Sequence, residues 1–326
     1  MSHPSLPPPR EPWYRQFQTL MPFRVQEVLL VSSAYDAFVL EEDGPLTERI
    51  FTSYSELKLS AAPRITHVSS IATARATLSE RPFDLVVTVP RLEDGDAAAL
   101  AAALTAEQKY GARGRGMAGH IPIVLLLFDE IDLQLFRGKV PKGIELAFLW
   151  TGHANSLIAV NKLIEDRYNV RHDVKAARVP VILVVEDELR AYSTFLTLLY
   201  PELMSHSHSL IREGTNDLHR VLRMRGRTKI LLENDFEGAK ARIDEFGDHI
   251  LAVITDLRFP HGGKLDPQAG VAVVEELRRR GRDLPILLLS SENDLEEQAR
   301  RLGTFWAVKR SAGFPTKLHH FLQEAL

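Results

Sequence analysis

Apolar residues in this chain fall into short unbroken runs, separated by longer stretches where they recur every three or four positions. In the C-terminal half the runs are Val181–Val185, Ile230–Leu232, Ile250–Thr255, Pro285–Ser290 and Phe305–Val308. Helical spacing covers Phe236–Phe246, Ala269–Arg280, Asn293–Leu302 and Pro315–Leu326. The N-terminal half repeats this order, with strand candidates at Glu27–Val31, Arg64–Val68, Phe83–Val89, Ile121–Leu127 and Leu146–Trp150. Strands that alternate with helices predict right-handed crossovers and a parallel sheet. Continuous apolar strands predict burial on both faces. The two halves superpose with a nearly constant offset, which indicates two copies of one α/β domain, each a doubly wound five-stranded parallel sheet. A helix over Ser156–Tyr168 closes the first copy, which is expected to span residues 23–170. Residues 171–179 read as a linker, and residues 180–326 as the second copy.

At 326 residues, two domains of roughly 150 residues fit the length. The 40 Lys+Arg nearly balance the 43 Asp+Glu, so no global attraction to nucleic acid or to an anionic membrane is expected. There is no cysteine, which excludes disulfides, thiolate nucleophiles and Cys-ligated metal centres and fits a reducing compartment. No apolar run approaches the ~20 residues of a membrane helix. The start, MSHPSLPPPREP, lacks a secretory pattern, and residues 1–22 read as a disordered, proline-rich tail. A cytoplasmic protein is expected.

Candidate chemistry gathers in the second copy. Its first strand ends Val185-Glu186-Asp187, its third Thr255-Asp256, its fourth Leu289-Ser290 and its fifth Val308-Lys309. Doubly wound sheets collect ligands at the carboxyl ends of their strands. Three carboxylates converging there would repel one another unless a divalent cation sat among them, and oxygen ligands suit Mg²⁺. Asp residues that merely cap turns are the alternative, but four matched strand ends favour a site.

In these positions the second copy resembles the receiver domain of two-component response regulators: an acidic pair, an acceptor Asp, a Ser/Thr and a Lys, in that order. The resemblance implies a flavodoxin-like (βα)5 fold, with Asp256 as phosphoryl acceptor. It implies Asp187 as a direct Mg²⁺ ligand, Glu186 acting through water and the backbone carbonyl of Arg258 completing the set. Ser290 would donate to the incoming phosphoryl group and Lys309 would pair with it. The residue after the family lysine is usually proline; here it is Arg310, which puts the geometry of that loop in question. Trp306 occupies the aromatic position of the fifth strand, where an inward or outward ring could report activation.

The segments LHRVLRMRGRTKILL (Leu218–Leu232), Tyr192–Leu203, FVLEEDGPLTERIF (Phe38–Phe51), APRITHVSS (Ala62–Ser70) and LWTGHA (Leu149–Ala154) resemble, more narrowly, receiver regions of phosphoenolpyruvate/pyruvate-binding dikinase-associated regulators. No Gly-rich nucleotide loop or phosphohistidine motif accompanies them, so a dikinase-like module is counted as a candidate partner.

The first copy keeps the pattern without the site. Ser32 and Ser33 stand for the acidic pair, Val89 for the acceptor, Leu127 for the hydroxyl and Trp150 for the lysine. It reads as a pseudo-receiver, unless Asp94 or Asp96 replaces the acceptor. In the second copy Glu188–Arg225 is unusually long for a first helix region. Phe195, Leu198, Leu199 and Leu203 give it an apolar face suited to a partner or a homodimer, or to its own sheet, with an end or kink near Tyr200 before Pro201. The basic cluster Arg220, Arg223, Arg225, Arg227 and Lys229 reads as a solvated helix end. The pairs His206/His208 and His319/His320 are not spaced as metal ligands. The expected function is that of a response regulator, not a turnover enzyme, served by a sensor histidine kinase or phosphotransfer protein. The alternative is a constitutive, unphosphorylated scaffold. A flavodoxin-like nucleotide binder is disfavoured for want of a Gly-rich turn.

Overall fold

The computed structural model describes residues 18–42, 44–57, 59, 61–108, 120–136, 139–209, 224–291 and 295–326. In the first copy the strands are β1 (Glu27–Val31), β2 (Arg64–Val68), β3 (Leu85–Thr88), a short hairpin of β4 (Arg91–Leu92) and β5 (Gly95–Asp96), β6 (Ile123–Leu127) and β7 (Leu146–Leu149). In the second they are β8 (Val181–Val185), β9 (Lys229–Glu233), β10 (Ile250–Asp256), a hairpin of β11 (Phe259–His261) and β12 (Lys264–Asp266), β13 (Ile286–Ser290) and β14 (Phe305–Val308). The main strands form two five-stranded parallel sheets, β2-β1-β3-β6-β7 and β9-β8-β10-β13-β14. Both copies are flavodoxin-like (βα)5 units. Strands β3, β6, β8 and β13 are buried along their whole length, which is why they read as unbroken apolar runs.

The helices are α1 (Ala34–Leu40), α2 (Leu46–Glu56), α3 (Ile71–Glu80), α4 (Ala97–Gln108), α5 (Asn155–Ala177), α6 (Leu189–Ser209), α7 (Phe236–Phe246), α8 (Ala269–Arg279), α9 (Leu295–Leu302) and α10 (Phe314–Ala325). Their starts are chemically marked. Ser33, Ser70 and Asp235 each accept a backbone N–H of the first turn, and Ser70 and Thr73 form a reciprocal capping box. After β6 the described residues of the first copy form a 3₁₀ turn, Glu130–Phe136.

Three expectations are corrected here. The first concerns the linker: α5 runs on through Ala177, so residues 171–177 are helix. The polar residues that suggested a linker form the joint of the molecule. Glu165, Asn169 and Asp173, one helical turn apart, accept the backbone N–H groups of Val25, Phe23 and Met21 at 3.0, 2.9 and 3.0 Å. Every second residue of an extended chain thus meets every fourth of a helix, because the two advances are nearly equal. The expected tail therefore ends earlier than residue 22, with Leu20 and Met21 buried; residues 1–17 lie outside the described residues.

The second correction concerns the basic cluster. Arg227 and Lys229 are buried, not solvated. Asp166 of α5 receives Arg227 through two bonds (2.9 and 2.6 Å), the Tyr200 hydroxyl (3.0 Å) and the Ile230 N–H (3.0 Å). Lys229 Nζ lies 3.0 Å from Asp173. Removing one partner from such a buried pair costs about 3–5 kcal/mol. Arg225 donates to the carbonyl of Gln18, and Arg220 and Arg223 lie outside the described residues.

The third concerns α6. It continues through Pro201, and Phe195, Leu199 and Leu203 are buried, with only Leu198 of the expected face exposed. Their cover is the rest of this chain: α6 packs on α5 and on the edge strand β7 of the first copy, and Phe195 meets Phe314 of α10 edge-on. One apolar cluster runs from Phe23 across both copies to Leu322, and a second fills the other face of the second sheet.

Candidate functional site

The strand pairings fix which residues correspond. Val31 pairs with Thr88 as Val185 pairs with Thr255, so Ser32 and Ser33 occupy the places of Glu186 and Asp187, and Val89 that of Asp256. Leu127 pairs with Leu149 as Ser290 pairs with Val308, so Leu127 stands for Ser290 and Trp150 for Lys309.

In the second copy these strand ends meet beside the point where strand order reverses, between β8 and β10. Lys309 Nζ lies 2.6 Å from Glu186, 2.9 Å from Asp256 and 3.8 Å from Glu188. Carboxylate oxygens of Glu186, Asp187 and Asp256 all lie within 4.8 Å of one another. Glu186 and Asp256 are buried; Asp187 is partly exposed. Asp187, Asp256, Arg258, Ser290 and Lys309 line one cleft of about 430 Å³, together with Glu188, Gln268 and Gln298. All six expected site residues are thus brought together, five lining the cleft and Glu186 within 4.8 Å of Asp187 and Asp256.

The site is short of positive charge. Burial, and then the Asp256 charge, push Glu186 up to about 8 from an ordinary 4.5. Burial also raises Asp187 and Asp256; at Asp256, Lys309 and the N–H groups of Leu257 and Arg258 offset only part of it. Burial works against the Lys309 charge, but Glu186 and Asp256 outweigh it and hold its pKa above the usual lysine range. Three oxygen ligands around a deficit of cationic charge fit a hard divalent ion such as Mg²⁺.

Two features of this cleft were not visible in the sequence. A Cβ at Gly270 would collide with the Asp256 carbonyl oxygen, so α8 can pack this closely only with glycine there. Arg310, in the position usually held by proline, pairs with Glu188, which lines the cleft. Trp306 is half-buried, with Lys317 Nζ 3.0 Å from its ring centroid.

The corresponding place in the first copy is filled. Val89 and Leu127 are wholly buried, and Ser32 lies 3.0 Å from His67. Ser33 caps α1, and Trp150 sits beneath Arg49 at 5.9 Å. Asp94 and Asp96 both accept backbone N–H groups at helix starts, Asp94 those of Ile71 and Ala72 in α3 and Asp96 that of Ala99 in α4. Among the described residues the acidic trio of the second copy is the one cluster of metal-ligating side chains. His319 pairs with Glu202, and His208 falls outside what can be described of side chains. No described helix is long and apolar enough to cross a membrane.

No protein-family model matches the chain, and no curated protein matches it. Among solved structures it is similar to a two-component system response regulator/GGDEF domain protein, at 13% identity over 92% of this chain and 99% of that one, TM-score 0.34. It is also similar to the receiver domain of a sensor histidine kinase from Pseudomonas aeruginosa PAO1, with magnesium coordinated in the active site cleft, at 17% identity over 45% of this chain and 98% of that one, TM-score 0.30. A third is the signal receiver domain of an HD domain-containing protein from Pseudomonas fluorescens Pf-5, at 20% identity over 46% and 93%, TM-score 0.29. At these scores the fold assignment rests on strand order and register.

Proposed function

We propose that the chain is a response regulator whose second copy accepts a phosphoryl group on Asp256, while its first copy is a pseudo-receiver. The observation that carries this reading is Lys309 Nζ placed between Asp256 and Glu186 at the switch point of the sheet. Glu186, Asp187, Asp256 and the Arg258 carbonyl would hold Mg²⁺, which supplies charge neutralisation for the phosphoryl oxygens. A carboxylate oxygen of Asp256 attacks phosphorus. The new O–P bond forms as the donor's bond to phosphorus breaks, and the leaving group keeps that electron pair. Lys309 then exchanges its contact with the Asp256 carboxylate for one with a phosphoryl oxygen. Ser290, buried at the end of β13, supplies a hydroxyl to another. Such a protein stores a signal and is not a turnover enzyme. Its donor would be a sensor histidine kinase or a phosphotransfer protein, and a dikinase-like module is a candidate downstream partner.

Beryllofluoride, a phosphoryl mimic, tests the site directly. Binding to the full chain should require Mg²⁺ and vanish in Asp256→Asn. Binding that survives this substitution would return the protein to the class of unphosphorylated scaffolds.

A further inference from the structure

The first turn of α6, which follows directly on the acidic residues of the site, is fastened to the first copy at three points. Glu130 accepts the backbone N–H of Arg190 at 3.2 Å and faces its Nε at 3.2 Å. The Tyr192 hydroxyl donates to the carbonyl of Ala147 at 2.7 Å, and Ser193 Oγ accepts the Leu149 N–H at 2.9 Å. The last two bonds cover the open edge of β7, where backbone groups have no further strand to pair with. The first satisfies an N–H that a helix start leaves without an intrahelical partner, with a carboxylate where the helix dipole favours one.

This fastening reaches the site in two steps. Tyr192 N–H bonds to the Glu188 carbonyl at 3.1 Å, and Glu188 N–H bonds to the Glu186 carboxylate at 3.1 Å. Arg190 also shares the wall of a separate cavity of about 180 Å³ with Glu186, Lys309, Phe195 and Phe314. A shift of Arg190 therefore alters both the turn that carries the acidic residues and the packing behind Lys309. We infer that Glu130 of the degenerate copy is a positioning residue for the acceptor site of the other copy, acting through Arg190. The degenerate domain is on this account a fixed part of the working site. This rests on the acceptor reading above, but it is a statement about geometry that metal binding alone can test.

The pair is partly exposed, with side-chain accessibilities of 37% for Glu130 and 42% for Arg190, so its loss should barely change stability. Positioning and simple electrostatics differ in sign. If only charge mattered, Glu130→Ala would weaken Mg²⁺ binding and Arg190→Ala would strengthen it. Positioning requires both to weaken it, by roughly fivefold, short of the tenfold or more typical when a ligand's own hydrogen-bond partner is lost. The double variant should lose no more than either single one. Glu130→Gln, which keeps an oxygen for the Arg190 N–H, should recover most of the loss. The experiment is Mg²⁺ titration of the full-length variants by calorimetry, beside their rates of labelling by acetyl phosphate. Opposite-signed changes in the two single variants, or no change, would overturn the positioning role. Absence of label on the wild type would overturn the acceptor reading instead, and the titration would still decide the role of Glu130.

Discussion

The two copies share strand order, register and a post-strand hairpin, yet treat the same strand ends in opposite ways. In the first, Val89 and Leu127 extend the core to the sheet's edge, Ser33 caps a helix, and Trp150 lies under Arg49. In the second, the same places hold Asp256, Ser290, Asp187 and Lys309, and burial drives the carboxylates' pKa values upward. The fold does not need the charged residues, because the first copy forms the same five-stranded sheet with Val89 and Leu127 buried in their places. Buried carboxylates with raised pKa values cluster at functional sites, which is why the proposed chemistry is assigned to the second copy.

The largest effect should come from forcing one copy to resemble the other. Val89→Asp places an unpaired carboxylate in a wholly buried position of the first copy and should cost about 3 kcal/mol or more. Urea unfolding would measure it, and a loss below 1 kcal/mol would mean that the pocket of the first copy is wetter than its packing implies. Gly270→Ala comes next. The methyl group must push α8 away from the Asp256 carbonyl, at about 1–3 kcal/mol, and Mg²⁺ affinity should fall with it. The first copy opens its matching helix, α4, on Ala97, Ala98 and Ala99.

The smallest effect is the pH response. A carboxylate whose folded pKa is raised stabilises the fold while protonated, and that stability is lost as pH rises from its unfolded value through its folded one. For Glu186 the window runs from 4.5 to about 8. The metal-free protein should therefore lose thermal stability across that window, and Mg²⁺ should restore it. Asp256→Asn, which removes one of the crowded charges, should raise metal-free stability at neutral pH by about 1 kcal/mol and abolish the Mg²⁺ response. A midpoint insensitive to Mg²⁺ at pH 8 would contradict the account of the site.

Much of this was legible in the chain because buried parallel strands are continuous apolar runs, and β1 and β8 fall where the pattern placed them. The site was legible for a related reason: its charged residues stand at the ends of those runs. What escaped notice depends on partners distant in sequence. Asn169 and Asp173 look like linker residues until Phe23 and Met21 are brought beside them. Arg227 looks solvated until Asp166 reaches it from 61 positions away. The hairpin after β10 did leave a mark, in the paired Gly262 and Gly263, both with positive φ.

The central claim is that one copy takes a phosphoryl group and the other does not. The full chain should be treated with acetyl phosphate and Mg²⁺, trapped with borohydride, digested and mapped by mass spectrometry. The account predicts a single modified site at Asp256, none within the first copy, and none anywhere when Mg²⁺ is withheld. A label on any first-copy residue, or an unmodified Asp256 under conditions that label a control receiver, would contradict it.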